Sequence, residues 1–200
     1  MAKTRDRIAA MADDLFYRQG YSATSFADIA EATGLSRGNF YHHFKAKDAI
    51  LGAVIDRRLL VTASLLAGWE GESPDPAHRI RCFIDILRAN RQKILQDGCP
   101  VGTLCTELAK LDHLLLTRAA DVFGLFRDWL AAQFAALALP DPDALALHLL
   151  ARSQGIAVLY HSLRDPDFLE AEVLGLHRWL DSLLSHPKAL PDVSDHPEFH

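Results

Sequence analysis

Apolar residues recur at intervals of three and four along almost the whole chain, and no stretch alternates as a half-buried strand would. This pattern predicts an all-α fold. About nine helices are predicted, at roughly residues 4–19, 25–33, 36–44, 47–66, 76–96, 102–111, 113–139, 141–164 and 167–185. The last stretch, "HPKALPDVSDHPEFH", contains three prolines and few apolar residues, so residues 186–200 are predicted to be a flexible tail.

The second and third predicted helices are short and lie close together, in "TSFADIAEATGLSRGNFYHHF". Ser25 and Asp28 have the spacing of a capping box, Gly34 ends the second helix, and Ser36 is a cap for the third. Two short helices joined by a tight turn, behind a longer amphipathic helix, are typical of a helix-turn-helix, here at about residues 25–44.

The third helix is predicted to have one core face and one polar face. Phe40 and Phe44 lie one turn apart and are expected to pack inward. The residues on the opposite side are Gly38, Tyr41, His42 and Lys45. An interior glycine costs a helix about 1 kcal/mol relative to alanine, which suggests close backbone approach to a phosphate or a base. The alternative is that Gly38 is tolerated at a frayed helix start and that Tyr41 and His42 are ordinary surface residues.

DNA contact would use the chemistry of this polar face. The Tyr41 hydroxyl suits a phosphate, Asn39 and His42 can hydrogen-bond to bases, and Lys45 and Lys47 supply positive charge. The net charge of −5 is unfavourable for a nucleic-acid partner, but it is uneven. Residues 1–58 contain nine Lys and Arg and seven Asp and Glu, whereas the remainder of the chain has a net charge of −7. The distribution therefore permits DNA binding by the first part of the chain.

No apolar run approaches the ~18–20 residues that span a bilayer, and the amino terminus lacks the pattern of a signal peptide. We therefore expect a cytoplasmic protein without a membrane partner. The three cysteines, Cys82, Cys99 and Cys105, are too few and too irregularly spaced for a disulfide framework and are expected to be free thiols. Neither a CxxC pair nor an HExxH spacing occurs, so neither a metal site nor a cofactor is expected.

The segment "TSFADIAEATGLSRGNFYHHFKAKDAIL", with the preceding "LFYRQGYSAT", resembles the amino-terminal signature of the tetracycline-repressor (TetR) family of bacterial transcription regulators. The resemblance covers about Thr4 to Leu51. It implies a three-helix DNA-binding head at 1–48, a helical effector-binding and dimerisation body at 49–185, and a homodimer that grips a palindromic operator in double-stranded DNA. By position it implies the following DNA contacts: Ser25, Ser36, Arg37, Gly38, Asn39, Tyr41, His42, Lys45 and Lys47.

A second, shorter resemblance covers "GCPVGTLCTELAKLD", Gly98 to Asp112, and points to a subgroup of that family whose members include cysteine-based sensors of electrophiles. Pro100 suits the first position of a helix, which places Cys99 at the N-cap, where exposed amides and the helix dipole favour a thiolate. Asp97 opposes this. Cys105 lies beside a leucine stripe, and its default role is packing.

The body also contains candidates for an effector pocket and a dimer seam. The pocket candidates are Phe83, Leu87, Leu108, Phe123, Phe126, Trp129 and Tyr160, although an aromatic stripe at helical spacing is more often simply core. The dimer candidates, on the last two helices, are Leu149, Arg152, Gly155, Ile156, Leu176, Trp179 and Leu180.

The leading hypothesis is thus a repressor that is released from DNA by a small molecule or by cysteine modification. The alternatives are a small thiol-dependent enzyme and a helical interaction protein; the enzyme lacks a base that the sequence places beside a cysteine.

Overall fold

The structure, a computed structural model, describes residues 2–185, and these residues form ten α-helices and no strand. The helices are α1 (Ala2–Gln19), α2 (Phe26–Thr33), α3 (Arg37–His43), α4 (Lys47–Glu72), α5 (Pro76–Ala89), α6 (Arg91–Asp97), α7 (Pro100–Lys110), α8 (Leu116–Ala136), α9 (Pro142–Leu163) and α10 (Pro166–Ser185). The predicted all-α fold is confirmed. Within 2–185, no helix is long and apolar enough to cross a membrane. The predicted tail at 186–200 lies outside the described residues.

The largest differences from the predicted helix boundaries occur in α4 and between α5 and α6. Helix α4 continues through two glycines to Glu72, because Trp69 is buried near its end and packs at 5.5 Å from Trp129. The Glu70 carboxylate accepts a 2.8 Å hydrogen bond from Trp129 Nε1. Tertiary packing there outweighs the low helix propensity of glycine. The single helix predicted at 76–96 is two helices, which meet at Asn90.

Local signals in the sequence account for the short helices α2 and α3. The Ser25 hydroxyl accepts from the Asp28 amide at 3.1 Å, and the Asp28 carboxylate accepts from the Ser25 amide at 2.7 Å, which completes the predicted capping box. The same bonds lower the pKa of Asp28. Gly34 ends α2 at φ +63°, a conformation that favours glycine. Ser36 then caps α3 by accepting from the Asn39 amide at 3.4 Å.

The buried apolar residues form two clusters, which we call the head core and the body core. The body core joins α5, α8, α9 and α10 with the end of α4. The head core contains Ile8, Ala12, Phe16, Tyr21, Ile29, Phe40, Phe44, Ile50, Leu51, Val54, Ile55, Leu104, Leu108 and Ala119. Leu104 and Leu108 belong to α7 and Ala119 to α8. The expected division after residue 48 therefore does not coincide with a boundary in the packing.

Two arginines of α1 hold the ends of the short helices. Arg7 donates to the carbonyl oxygen of Thr33, the last residue of α2, at 2.6 Å. Arg5 donates to that of His43, the last residue of α3, at 3.0 Å, and its guanidinium lies 4.1 Å from the Phe44 ring centroid. Cations at helix C-termini are favourable because the last carbonyls are unpaired and carry partial negative charge.

Lys47 has a similar function at the start of α4. Its ammonium donates to the carbonyl oxygens of Tyr21 at 2.9 Å and Thr24 at 3.0 Å, and it lies 4.1 Å from the centroid of the Tyr21 ring. The Tyr21 hydroxyl donates to the Asp48 carboxylate. Together these contacts fix the α1–α2 turn to α4.

We therefore expect Lys47→Met to destabilise the head by about 1.5–3 kcal/mol, the usual contribution of hydrogen bonds from a charged donor. The exposed Lys45 offers a matched control, since Lys45→Met should change stability by less than about 0.5 kcal/mol. Denaturant unfolding followed by circular dichroism measures both variants. Equal stability of the two variants would show that the Lys47 contacts do not support the fold.

Candidate DNA-binding surface and body cavity

One face of α3 is exposed and polar. Gly38, Asn39, Tyr41 and His42 are exposed, while Phe40 is fully buried in the head core. Tyr41 keeps 47% of its surface exposed, and its ring packs at 5.3 Å from that of Phe26. The hydroxyl-bearing side chain is thus held by an aromatic contact.

Gly38 has no packing reason to be a glycine. A Cβ built on its backbone meets no atom within 4 Å, and its φ is not positive. An alanine there would fit the fold and favour the helix. The missing side chain of Gly38 therefore leaves open space above α3 and has no role in the packing of the chain itself.

The remaining predicted contacts fall into two groups. Ser25 and Ser36 are exposed N-caps whose hydroxyls accept backbone hydrogen bonds, Arg37 is the first residue of α3, and Lys45 is exposed in the turn before α4. Lys47, predicted to contact a phosphate, directs its ammonium to two carbonyl oxygens of the head. Sequence alone did not place it there, because both acceptors are backbone atoms more than 20 residues away.

A cavity of about 570 Å³ opens in the body between α7 and α9. It is lined by Gly98, Cys99, Gly102, Thr103, Cys105, Thr106, Glu107, Lys110, Phe123, Gln154, Val158, His161 and Ser162. Two of the three cysteines thus face one space. Cys82 lies elsewhere, on α5.

Cys99 is the N-cap of α7, as predicted from the position of Pro100. Its Sγ accepts a hydrogen bond from the Gly102 amide at 3.4 Å. Thiols at this position are exposed to the positive end of the helix dipole. Burial raises the pKa of the Cys105 thiol, and burial with the nearby carboxylates of Glu72 and Asp85 raises that of Cys82.

Residues of the cavity wall form hydrogen bonds directly with the head. The Glu107 carboxylate accepts from the backbone amides of Tyr21 at 2.8 Å and Ser22 at 2.7 Å. On α1, the Tyr17 hydroxyl donates to the carbonyl oxygen of Gly98 at 2.6 Å. Burial and the charge of Asp97 raise the pKa of Tyr17, so the phenol stays protonated and keeps donating.

A second link runs from α4 to the start of α7. Arg58 donates to the Pro100 carbonyl oxygen and forms a 2.8 Å ion pair with Asp13 of α1. The guanidinium is largely buried, with 10% of its side chain exposed. The N-terminus of α7 is therefore bonded to both α1 and α4.

The polar cavity residues that sequence reasoning missed include Gln154 and His161. The Nδ1 atom of His161 lies 3.1 Å from the Ile94 carbonyl oxygen and 3.2 Å from that of Leu95. Because carbonyl oxygens only accept, Nδ1 carries a proton, which in the neutral ring leaves Nε2 as an acceptor. Both residues are far from Cys99 in sequence, so no local spacing connects them with it.

The residues predicted to form an effector pocket do not line one cavity. Of the seven, only Phe123 borders the space beside Cys99. The others belong to packed clusters: Phe83, Leu87, Trp129 and Tyr160 in the body core with Phe126 against it, and Leu108 in the head core. For Phe126 and Trp129 of α8, this packing agrees with the alternative that the aromatic stripe is core.

Most residues predicted for the dimer seam lie in or against the protomer's own core. Leu149, Ile156, Leu176 and Leu180 are buried within the single chain, where they form part of the body core, and Trp179 packs against it. Arg152 and Gly155 are exposed. Periodicity identified the apolar face of each helix but could not tell the protomer's own core from a partner.

A different stripe of α9 is both exposed and apolar. Its members follow one another at intervals of four residues: Leu147, Ala151, Gly155, Leu159 and Leu163. Leu147 is 57% exposed and Leu163 60%. A groove beside this stripe is bordered by Phe168 and Glu172 of α10, and Glu172 pairs with Arg152 at 2.7 Å.

Comparison with known proteins agrees with the head geometry. Residues 8–54 match the sequence profile of the family described as "Bacterial regulatory proteins, tetR family". An HTH-type transcriptional regulator in the lacX 3′ region of Lactococcus lactis is 30% identical over 176 residues, covering 86% of this chain and 90% of the relative. The HTH-type transcriptional repressor DhaR of a Mycobacterium species is 27% identical, covering 64% of each chain.

The likeness extends to three dimensions and includes the body. The crystal structure of a TetR transcriptional regulator from Chloroflexus aurantiacus superimposes with a TM-score of 0.79 at 26% identity, covering 90% of this chain and 95% of that one. These relatives are regulators, which speaks against the enzyme alternative. The chain belongs to the tetR family of bacterial regulatory proteins and is a helix-turn-helix transcriptional regulator.

Proposed function

We propose that this protein is a repressor that binds a palindromic operator as a homodimer, with the exposed face of α3 lying in the major groove. The observation that supports this most strongly is Gly38, which is exposed and whose missing side chain leaves open space. Asn39, Tyr41 and His42 flank it with hydrogen-bonding groups. Repression is supported by the DhaR relative and by Rv3405c of Mycobacterium tuberculosis, both described as repressors.

The first test separates DNA contact from folding. Gly38→Ala should leave the stability of the fold unchanged or raise it by up to about 1 kcal/mol, since alanine favours the helix and clashes with nothing. Operator affinity should fall by about tenfold or more, because the added methyl lies between α3 and the DNA. Asn39→Ala should lose about 1–3 kcal/mol of discrimination at one base pair. Fluorescence anisotropy on a duplex selected by the parent protein from a random library measures both.

Gly68 provides the matched control for these experiments. It is an exposed glycine within α4, and a Cβ at that position also meets nothing within 4 Å. Gly68→Ala should retain parental operator affinity. The assignment of α3 fails if Gly38→Ala binds the operator as tightly as Gly68→Ala does.

We also propose that the homodimer forms through the exposed α9 stripe and the groove beside α10. Apolar residues repeated every fourth position along an exposed helix are typical of a helix–helix seam, and Gly155 at its centre permits close approach. A single head would discriminate too few base pairs to select one operator, whereas a dimer reads two half-sites.

Gly155→Asp tests this seam. A Cβ at this position meets no atom of its own chain within 4 Å, so the protomer should keep its helical content, but two such charges would face each other across the two-fold axis. We expect monomers by sedimentation equilibrium and the loss of specific operator binding. Gly68→Asp should remain dimeric. A parent protein that is monomeric at micromolar concentration would refute the proposal.

We propose that the effector acts at the cavity between α7 and α9, either as a bound small molecule or as an electrophile that Cys99 attacks. In the covalent case the Cys99 thiol gives its proton to solvent and the thiolate adds to one carbon of an activated C=C bond. The π bond breaks, the other carbon takes a proton from solvent, and a thioether results. The adduct occupies the position where Sγ accepts from the Gly102 amide. The space there is narrow, since a Cβ on Gly102 would lie 2.8 Å from the Gln154 amide oxygen.

The contacts of α7 explain how such an event reaches the DNA. A displaced N-terminal turn of α7 changes the positions of the carbonyl oxygens of Gly98 and Pro100, which hold Tyr17 and Arg58. Movement of the same helix shifts Glu107, which holds the α1–α2 turn. An effector that favours the displaced state lowers operator affinity by its difference in affinity for the two states, commonly about 1–3 kcal/mol.

Alkylation with N-ethylmaleimide tests the covalent route. The adduct should appear first on Cys99 by peptide mass spectrometry, and operator affinity of the parent should fall by about 5- to 150-fold. Cys99→Ser should keep its affinity after the same treatment. Cys82, whose thiol pKa is raised, serves as the slow-labelling control. Equal labelling of Cys82 and Cys99, or unchanged release in Cys99→Ser, would leave a noncovalent ligand as the better account.

A further inference from the structure

Three side chains of different chemistry meet where α4 ends and α5 begins. Glu72 is the last residue of α4, and His78 and Cys82 lie one turn apart on α5. One carboxylate oxygen, one imidazole nitrogen and the Cys82 Sγ all lie within 4.8 Å of one another. Glu72 and His78 are exposed and Cys82 is half-buried, so an ion from solvent can reach all three.

The backbone that carries these side chains is held in place. Arg79 donates from Nε to the Ser73 carbonyl oxygen at 2.8 Å and from Nη2 to that of Glu70 at 3.2 Å, which satisfies the C-terminus of α4. Asp75 caps α5 by accepting from the Ala77 amide at 3.0 Å. The position of Glu72 relative to α5 is therefore set by the fold.

The donor set selects a class of metal. Sulfur, imidazole nitrogen and carboxylate oxygen together suit zinc and neighbouring divalent transition metals, whereas magnesium and calcium prefer oxygen donors throughout. Zinc bonds of about 2.0–2.3 Å place tetrahedral donors roughly 3.4–3.7 Å apart. Side-chain rotations that move the donor atoms by about 1 Å therefore bring them to this spacing. A thiolate and a carboxylate also balance the charge of a divalent ion.

We propose that Glu72, His78 and Cys82 form a three-ligand site for a zinc-class divalent transition metal, with the fourth position left to water. The expectation of no metal site followed from the lack of a ligand motif, and Glu72 was missed because it belongs to a different helix from the other two donors. An ion there ties the last turn of α4 to α5. Since α4 begins at Lys47 in the head, the site fixes the far end of the helix that joins head and body.

Cobalt(II) serves as the probe, because a thiolate bound to it gives a charge-transfer band in the near ultraviolet. Titration of the full-length parent should give this band with one cobalt per chain, and zinc should displace the cobalt and remove it. Cys82→Ser should abolish the band. Glu72→Gln and His78→Ala should each weaken cobalt binding by more than about tenfold. Even residues that only hydrogen-bond to a metal ligand commonly contribute that much to metal affinity. The thermal midpoint of the parent should rise with zinc and return with a chelator.

Controls separate this site from other donors in the chain. Cys99→Ser, Cys105→Ser and a variant with His186, His196 and His200 changed to alanine should bind cobalt like the parent. Cys82→Ala and circular dichroism guard against a folding defect in Cys82→Ser. A band that survives in folded Cys82→Ser or Cys82→Ala, or that disappears in Cys99→Ser or in the histidine variant, overturns the proposal. So does parental binding in both Glu72→Gln and His78→Ala.

Discussion

The exposed face of α3 depends on packing, because neither α3 nor the neighbouring α2 is long enough to be stable alone. Helices α2 and α3 contain eight and seven residues, below the ~12–15 at which isolated helices become even marginally stable. Phe40 and Phe44 are fully buried in the head core, and Arg5 and Arg7 hold the carboxyl ends of α3 and α2 from α1. The orientation of α3 is therefore set by α1 and α4, and a shift of either helix moves the exposed face of α3.

That dependence connects the body to the head. The head core includes Leu104 and Leu108, so α7 belongs to the packing that holds the DNA-binding helices in place. Glu107 adds two hydrogen bonds to backbone amides of the α1–α2 turn. Charge-assisted hydrogen bonds contribute about 1.5–3 kcal/mol each, which is the size of a typical allosteric coupling energy. Loss or gain of one such contact is thus comparable in free energy to such a coupling.

The parts of this structure that the sequence predicts are those decided by near neighbours. Capping by Ser25, Ser36 and Cys99 and the left-handed Gly34 require only adjacent residues, and all four are as predicted. Contacts across the fold are different. Leu149 and Leu159 both lie on apolar faces of α9, but Leu149 is buried and Leu159 is exposed. Only the packing of α8 and α10 against α9 decides which of the two is buried in the protomer's core. The cavity beside Cys99 likewise combines segments more than 50 residues apart.

The charge of the chain gives an independent reason why two heads must act together. Arg5, Arg7 and Lys47 are counted among the cations of the head, yet each already donates to a backbone carbonyl oxygen and so helps to hold the fold. Their charges still act at a distance, but the chain beyond residue 58 carries −7 and opposes them. Steering by the whole molecule is therefore weak. In the proposed function, affinity therefore comes from short-range contacts of α3, and pairing two such surfaces in the proposed dimer makes the contacts of the second head intramolecular.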